Sequence, residues 1–162
     1  MNFWNSQGAK AILISISISM LLRILPLPRD WLIFNPDWIL LVVIYWCLYI
    51  PERFNIGSAW IFGLLTDVLT GQLLGQQALV YSVIAYIIVR LHQRIRLFPL
   101  SQKTLIILAL LLLGQTLIFW VQNIQNAVYS GWHYMIPAFT GTLAWPLVYI
   151  GLGGLHHREK ID

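Results

Sequence analysis

The chain has 162 residues, 59% of them hydrophobic and 10% charged, with a mean hydropathy of +0.73. So few charged side chains cannot make the polar skin of a soluble domain this long, and the composition places residues 1–162 in lipid as a single membrane domain. The net charge of +4 comes from cations at the ends of apolar runs, a membrane pattern that gives no footing for nucleic acid, and the single cysteine, Cys47, excludes an intrachain disulfide or a thiolate cluster.

The first apolar run, Ala9 to Leu25, follows Lys10 and is read as a retained helix, because Pro26, Pro28 and Arg29 follow where a signal peptide would offer small residues for cleavage. Its SISIS stretch alternates with period two, as a barrel strand does. The later runs LIILALLLLG and VYSVIAYIIV are continuous and too long for strands, so the chain is read as all-α throughout. Ser15 and Ser19 then share a helical face suited to packing or to back-bonding. The second and third runs, Trp38 to Ile50 and Ile56 to Leu69, are short for straight spans and admit a re-entrant hairpin. Two spans are favoured, because the Pro51-Glu52-Arg53 turn between them is costly at mid-membrane.

Three more segments complete a bundle of six transmembrane helices: Leu73 to Leu91, Thr104 to Val121 and Tyr134 to Leu155. Pro137 and Pro146 are expected to kink the last of them or bend its start. With both termini cytoplasmic, Lys10, Arg53, Arg90, Arg94, Arg96, Lys103, Arg158 and Lys160 lie inside and only Arg23 and Arg29 outside. The basic stretch Arg90 to Lys103 reads as the main inner loop, explained by orientation and anionic lipid. Trp31, Trp38, Tyr129, Trp132 and Tyr134 fall where an outer aromatic belt belongs.

Asp67 is the acid that needs an account, since an ionised carboxylate in hydrocarbon costs at least ~2.5 kcal/mol on insertion scales. Gly63, Asp67, Gly71 and Gly75 recur every four residues. Gly63 and Asp67 share a helix face, Gly71 serves the following turn, and Gly75 is expected in the first turn of the fourth helix. Asp67 then pairs with Arg23, or accepts from the free N–H groups that open the fourth helix; the structural reading outweighs a proton relay because one isolated acid cannot form a chain. Metal and catalytic constellations are not found: His92 and His133 are placed at opposite faces, His156 and His157 in the tail, and no nucleophile has a base at its depth. No catalytic, cofactor-binding or metal residue is assigned.

From Asn35 onward the order of motifs resembles the MreD family of rod-shape-determining inner-membrane proteins. The matching stretches are NPDWILLVVIYW, Pro51-Glu52-Arg53, Gly63 to Asp67, TG-x-x-LG at Thr70 to Gly75, and ALVYSVIAY at Ala78 to Tyr86. The resemblance implies a non-enzymatic component of the rod-elongation machinery, similar in fold to the six-helix substrate-binding subunits of energy-coupling-factor transporters. It implies MreC as direct partner, with RodA, a penicillin-binding transpeptidase and MreB in the same assembly. Arg23, Pro36, Asp37, Gly63, Asp67, Gly71, Gly75 and Tyr86 are carried as structural or partner-binding candidates. A face near Gly63 and the segment Arg29 to Trp38 are the expected partner surfaces. The rival reading is a vitamin-type binding subunit of a transporter, whose pocket would draw on Asp67, Gln76, Gln77, Tyr81 and Gln115.

Overall fold

The computed structural model describes residues 6–26, 28–124 and 132–158. Tyr129 and Lys160 lie outside the described residues, as do the side chains of Arg29, Trp132, His156, His157 and Arg158. In chain order the helices are α1 (Ser6–Ile24), α2 (Arg29–Leu32), α3 (Trp38–Tyr49), α4 (Ile56–Thr70), α5 (Gln76–Leu97), α6 (Leu100–Ile124) and α7 (Ile136–Arg158), with a 3₁₀ turn at Trp132–Tyr134. Among the described residues there is no strand. The all-α expectation stands, and each of the six expected segments corresponds to a helix.

Three helices, α5, α6 and Ile136–Gly154 of α7, are long and apolar enough to cross a membrane. The shorter apolar pair, α3 and α4, rises only about 18 and 22 Å at ~1.5 Å per residue. For α3 the reason is its place: Ile39 to Leu48 are all buried, so this helix is apolar all round because protein surrounds it. α1, α5 and α7 pack against α3, α4 lies along α5, and α6 fills between α5 and α7. The outward faces carry large apolar side chains, among them Leu143, Leu147 and Ile150 of α7, which are 69–78% exposed and suit contact with lipid or another chain.

Several local expectations are corrected. The basic stretch is not a loop: α5 continues to Leu97 and α6 begins at Leu100, leaving Phe98 and Pro99 between them. Proline disfavours the α conformation in the residue before it, and Phe98 sits at φ −75°, ψ 148°. Gly75 does not lie in the first turn of α5. It is the residue before it, at φ +100°, a conformation that a side chain strains. Beyond those two corrections, Arg29–Leu32 forms the short helix α2, and Pro146 lies within α7.

Candidate functional site

One end of the bundle gathers Arg23, Asp37, Asp67 and Tyr81, and the sequence explains how each arrives. In Asn35-Pro36-Asp37-Trp38 the aspartate precedes an apolar helix, the position where a side-chain oxygen satisfies a free N–H. Asp37 Oδ1 accepts from the Leu40 amide at 3.2 Å, while Asn35 Oδ1 accepts from Trp38 Nε1 at 2.9 Å. The Tyr81 hydroxyl on α5 donates to the Asp37 carboxylate, 2.8 and 2.9 Å from its two oxygens. Arg23 Nη1 lies 3.6 Å from Asp37 Oδ1. The arginine expected opposite Asp67 is thus the counter-ion of Asp37, because α1 packs on α3 and carries Arg23 to the start of that helix.

Asp67, fully buried, closes the other half of this end. Its Oδ2 accepts from Gly75 N at 2.8 Å and more weakly from Ala78 N at 3.4 Å, and its Oδ1 accepts from Gln77 N at 2.8 Å. Of the two partners weighed for it, the structure gives Asp67 the opening amides of α5, where the helix dipole also favours a negative charge. Its own carbonyl accepts from Gln72 N, within the turn that Gly71 makes at φ +63°. Gly63, one turn earlier, is where α4 and α5 nearly touch: a Cβ there would stand 2.4 Å from Ala78 Cα. Asp37 and Gly63 are therefore inside the protein and the face near Gly63 is covered by α5, whereas Trp31, Leu32, Ile33 and Phe34 of the expected outer segment are exposed.

The remaining candidates divide plainly. Pro36 packs near Gly141 of α7, and Tyr86 is half exposed on α5 and belongs to neither cluster. Ser15 back-bonds as foreseen, donating to the Ile12 carbonyl, and also accepts from Trp46 Nε1 at 2.9 Å. At the opposite end of the bundle a cation has a role that sequence order does not reveal. Arg96 donates through Nε to the Leu48 carbonyl at 2.8 Å and through Nη2 to the Tyr49 carbonyl at 2.6 Å, satisfying groups that the end of α3 leaves free. Lys103 lies over the rings of Tyr49 and Tyr149 at 6.0 and 5.7 Å. Among the described residues no three His, Cys, Asp or Glu side chains are grouped to hold a metal.

Two concavities remain. A polar cavity of about 420 Å³ opens at the Arg23 end, lined by Arg23, Asp37, Gln76, Gln77, Gln115 and Gln122 among others. Of the groups expected for a pocket, the three glutamines reach it, whereas the hydrogen bonds of Asp67 and Tyr81 go to the protein's own frame. An apolar groove of about 330 Å³ runs between α1, α3 and α7, with Ser15, Ser19, Trp38, Leu147 and Gly151 along it.

A family model described as rod shape-determining protein MreD matches residues 5–152, which takes in every motif residue placed above. The chain belongs to the MreD family. A curated MreD relative, the rod shape-determining protein MreD of Haemophilus influenzae, is 30% identical over 144 residues, covering 89% of either chain. No solved structure matches. Membership of the MreD family gives the protein a role in cell shape and makes it a membrane protein. In this chain the Asn35-Pro36-Asp37-Trp38 stretch starts and anchors the central helix, and the glycine and aspartate pattern from Gly63 to Gly75 fastens α4 to α5.

Proposed function

We propose that this MreD-family protein is a non-enzymatic adaptor of the rod-elongation complex. It crosses the inner membrane six times with both termini in the cytoplasm, binds MreC, and helps couple MreB filaments to peptidoglycan synthesis by RodA and its penicillin-binding transpeptidase. The orientation is supported by charge: the Arg96 end carries the cations of α5 and α6, and Arg23 at the other end is neutralised by Asp37. Six spans are supported by the position of α3, whose backbone and side chains are wrapped in protein, so its short length is not set by the hydrocarbon thickness.

One observation carries the adaptor reading. The acids at the Arg23 end are engaged within the frame, while the groove between α1, α3 and α7 stays open and is edged by small residues, Ser15, Ser19 and Gly151. In lipid, helices associate by close packing over small residues rather than by hydrophobic burial, so such a groove fits the single membrane helix of MreC. A Cβ at Gly151 meets nothing within 4 Å, so the position accepts a side chain, and Gly151→Trp is chosen to place an indole in the groove. The variant is expected to reach normal membrane abundance, to lose most co-purifying MreC, and to turn rods into spheres. Full MreC recovery with rods preserved rejects the groove.

A small-molecule-binding subunit of a transporter is the second reading, and the polar cavity is the observation in its favour. Stabilisation by a vitamin together with no association with MreC selects it.

A further inference from the structure

The cavity at the Arg23 end has a chemistry that the adaptor role leaves unused. Gln76 and Gln77 are each only 4% exposed, yet Gln76 Nε2 and Gln77 Oε1 have no hydrogen-bond partner, and neither does the buried Oε1 of Gln122. Buried polar atoms in folded proteins are nearly always paired, and an unmade bond on such an atom is costly. The side chains that carry them, Gln76, Gln77 and Gln122, line one concavity and come from two helices, α5 and α6. Gln76 and Gln77 begin α5, whose first turn Asp67 holds in place through the backbone amides of Gly75 and Gln77. Gln122 comes from the far end of α6. Arg23 and Asp37 also face the space, but they lie against each other at 3.6 Å, and the Asp37 carboxylate already accepts from Tyr81 and from Leu40.

We propose that this cavity is a binding site for a small uncharged molecule that presents a hydrogen-bond acceptor beside donors, as the vicinal hydroxyls or acetamido group of a sugar do. The side-chain amides of Gln76, Gln77 and Gln122, with that of Gln115, supply the donors and acceptors for it. The lining argues against a charged ligand. Arg23 and Asp37 in the lining offset each other's charge, so neither a free anion nor a free cation meets a net opposite charge there. A volume of about 420 Å³ lies within the ~300–1,000 Å³ range of small-molecule pockets. The site does not depend on the groove or on MreC, since groove and cavity have different lining residues.

The test uses the full chain in lipid nanodiscs, free of sugar-headed detergent, with N-acetylglucosamine as the uncharged probe and inorganic phosphate and glucosamine as charged ones. N-acetylglucosamine is expected to raise the unfolding midpoint by a few degrees in a saturable manner, and the charged probes to leave it unchanged. Gln77→Leu removes an unpaired buried oxygen, so the variant is expected to fold with an unchanged or higher midpoint and to lose the response. Gln102→Leu, an exposed change at the start of α6, is expected to keep it. Three results would overturn the site: no response to the uncharged probe, an equal response to phosphate, or an undiminished response in Gln77→Leu. A site that merely holds water gives the first of these.

Discussion

Asp67→Leu is expected to remove most of the protein from the membrane, and Asp67→Asn to remove distinctly less. The leucine leaves the amides of Gly75 and Gln77, and the longer contact from Ala78, without an acceptor inside the protein. Each buried unmade bond costs ~1–3 kcal/mol, so the loss is on the order of 4 kcal/mol, a large part of the stability of any domain. An asparagine keeps one acceptor oxygen for these amides and loses the charge that suits a helix N-terminus. Quantitative immunoblotting of membrane fractions separates the two, and equal abundance of both variants contradicts the fastening role.

The second large effect is expected from the smallest substitution. Gly63→Ala places a methyl 2.4 Å from Ala78 Cα, 2.7 Å from Ala78 N and 2.9 Å from the Gln77 carbonyl, all backbone atoms that no rotamer change can move. Overpacking of this kind costs about 1–3 kcal/mol in ordinary cores. Here the same displacement also draws Gln77 N away from Asp67, so the two losses add to one another. Gly151→Ala is the matched control, because a Cβ there meets nothing within 4 Å. Thermal unfolding of the purified proteins is expected to show Gly63→Ala several degrees lower and Gly151→Ala unchanged. Matching midpoints for the two variants refute the close approach of α4 to α5.

What could be read from sequence was what local rules govern. Asp67 followed by a turn and a helix start already implied free amides within reach, and Asp37 before an apolar run stood at a helix-capping position. Which acid takes Arg23 was not legible, because it depends on how α1 slides along α3, a register that no spacing within either helix records. The extension of α5 through Arg90, Arg94 and Arg96 was hidden for another reason. Hydropathy marks where a helix leaves the apolar layer, not where it ends, and the stop came only at Pro99. Arg96 could be read as an orienting charge, yet its bonds to the Leu48 and Tyr49 carbonyls join positions far apart in the chain. Gly63 carried a small-residue signal that fits an internal or an external neighbour equally, and only the Ala78 backbone decides between them. The cavity combines both cases: Gln76, Gln77 and Gln115 stood out as polar residues in apolar runs, whereas Gln122 and His133 join them only through the fold.

Buried charges hold the helices of this chain to one another, and we propose that its work is done through the open groove of α1, α3 and α7. Site-specific photocrosslinking in living cells tests it most directly, with a benzophenone side chain at Ile18 or Leu147, exposed beside the groove, and at Leu105, exposed on α6, for comparison. Adducts with MreC at Ile18 and Leu147 and none at Leu105 are predicted. Adducts at Leu105 with neither groove position reacting contradict it.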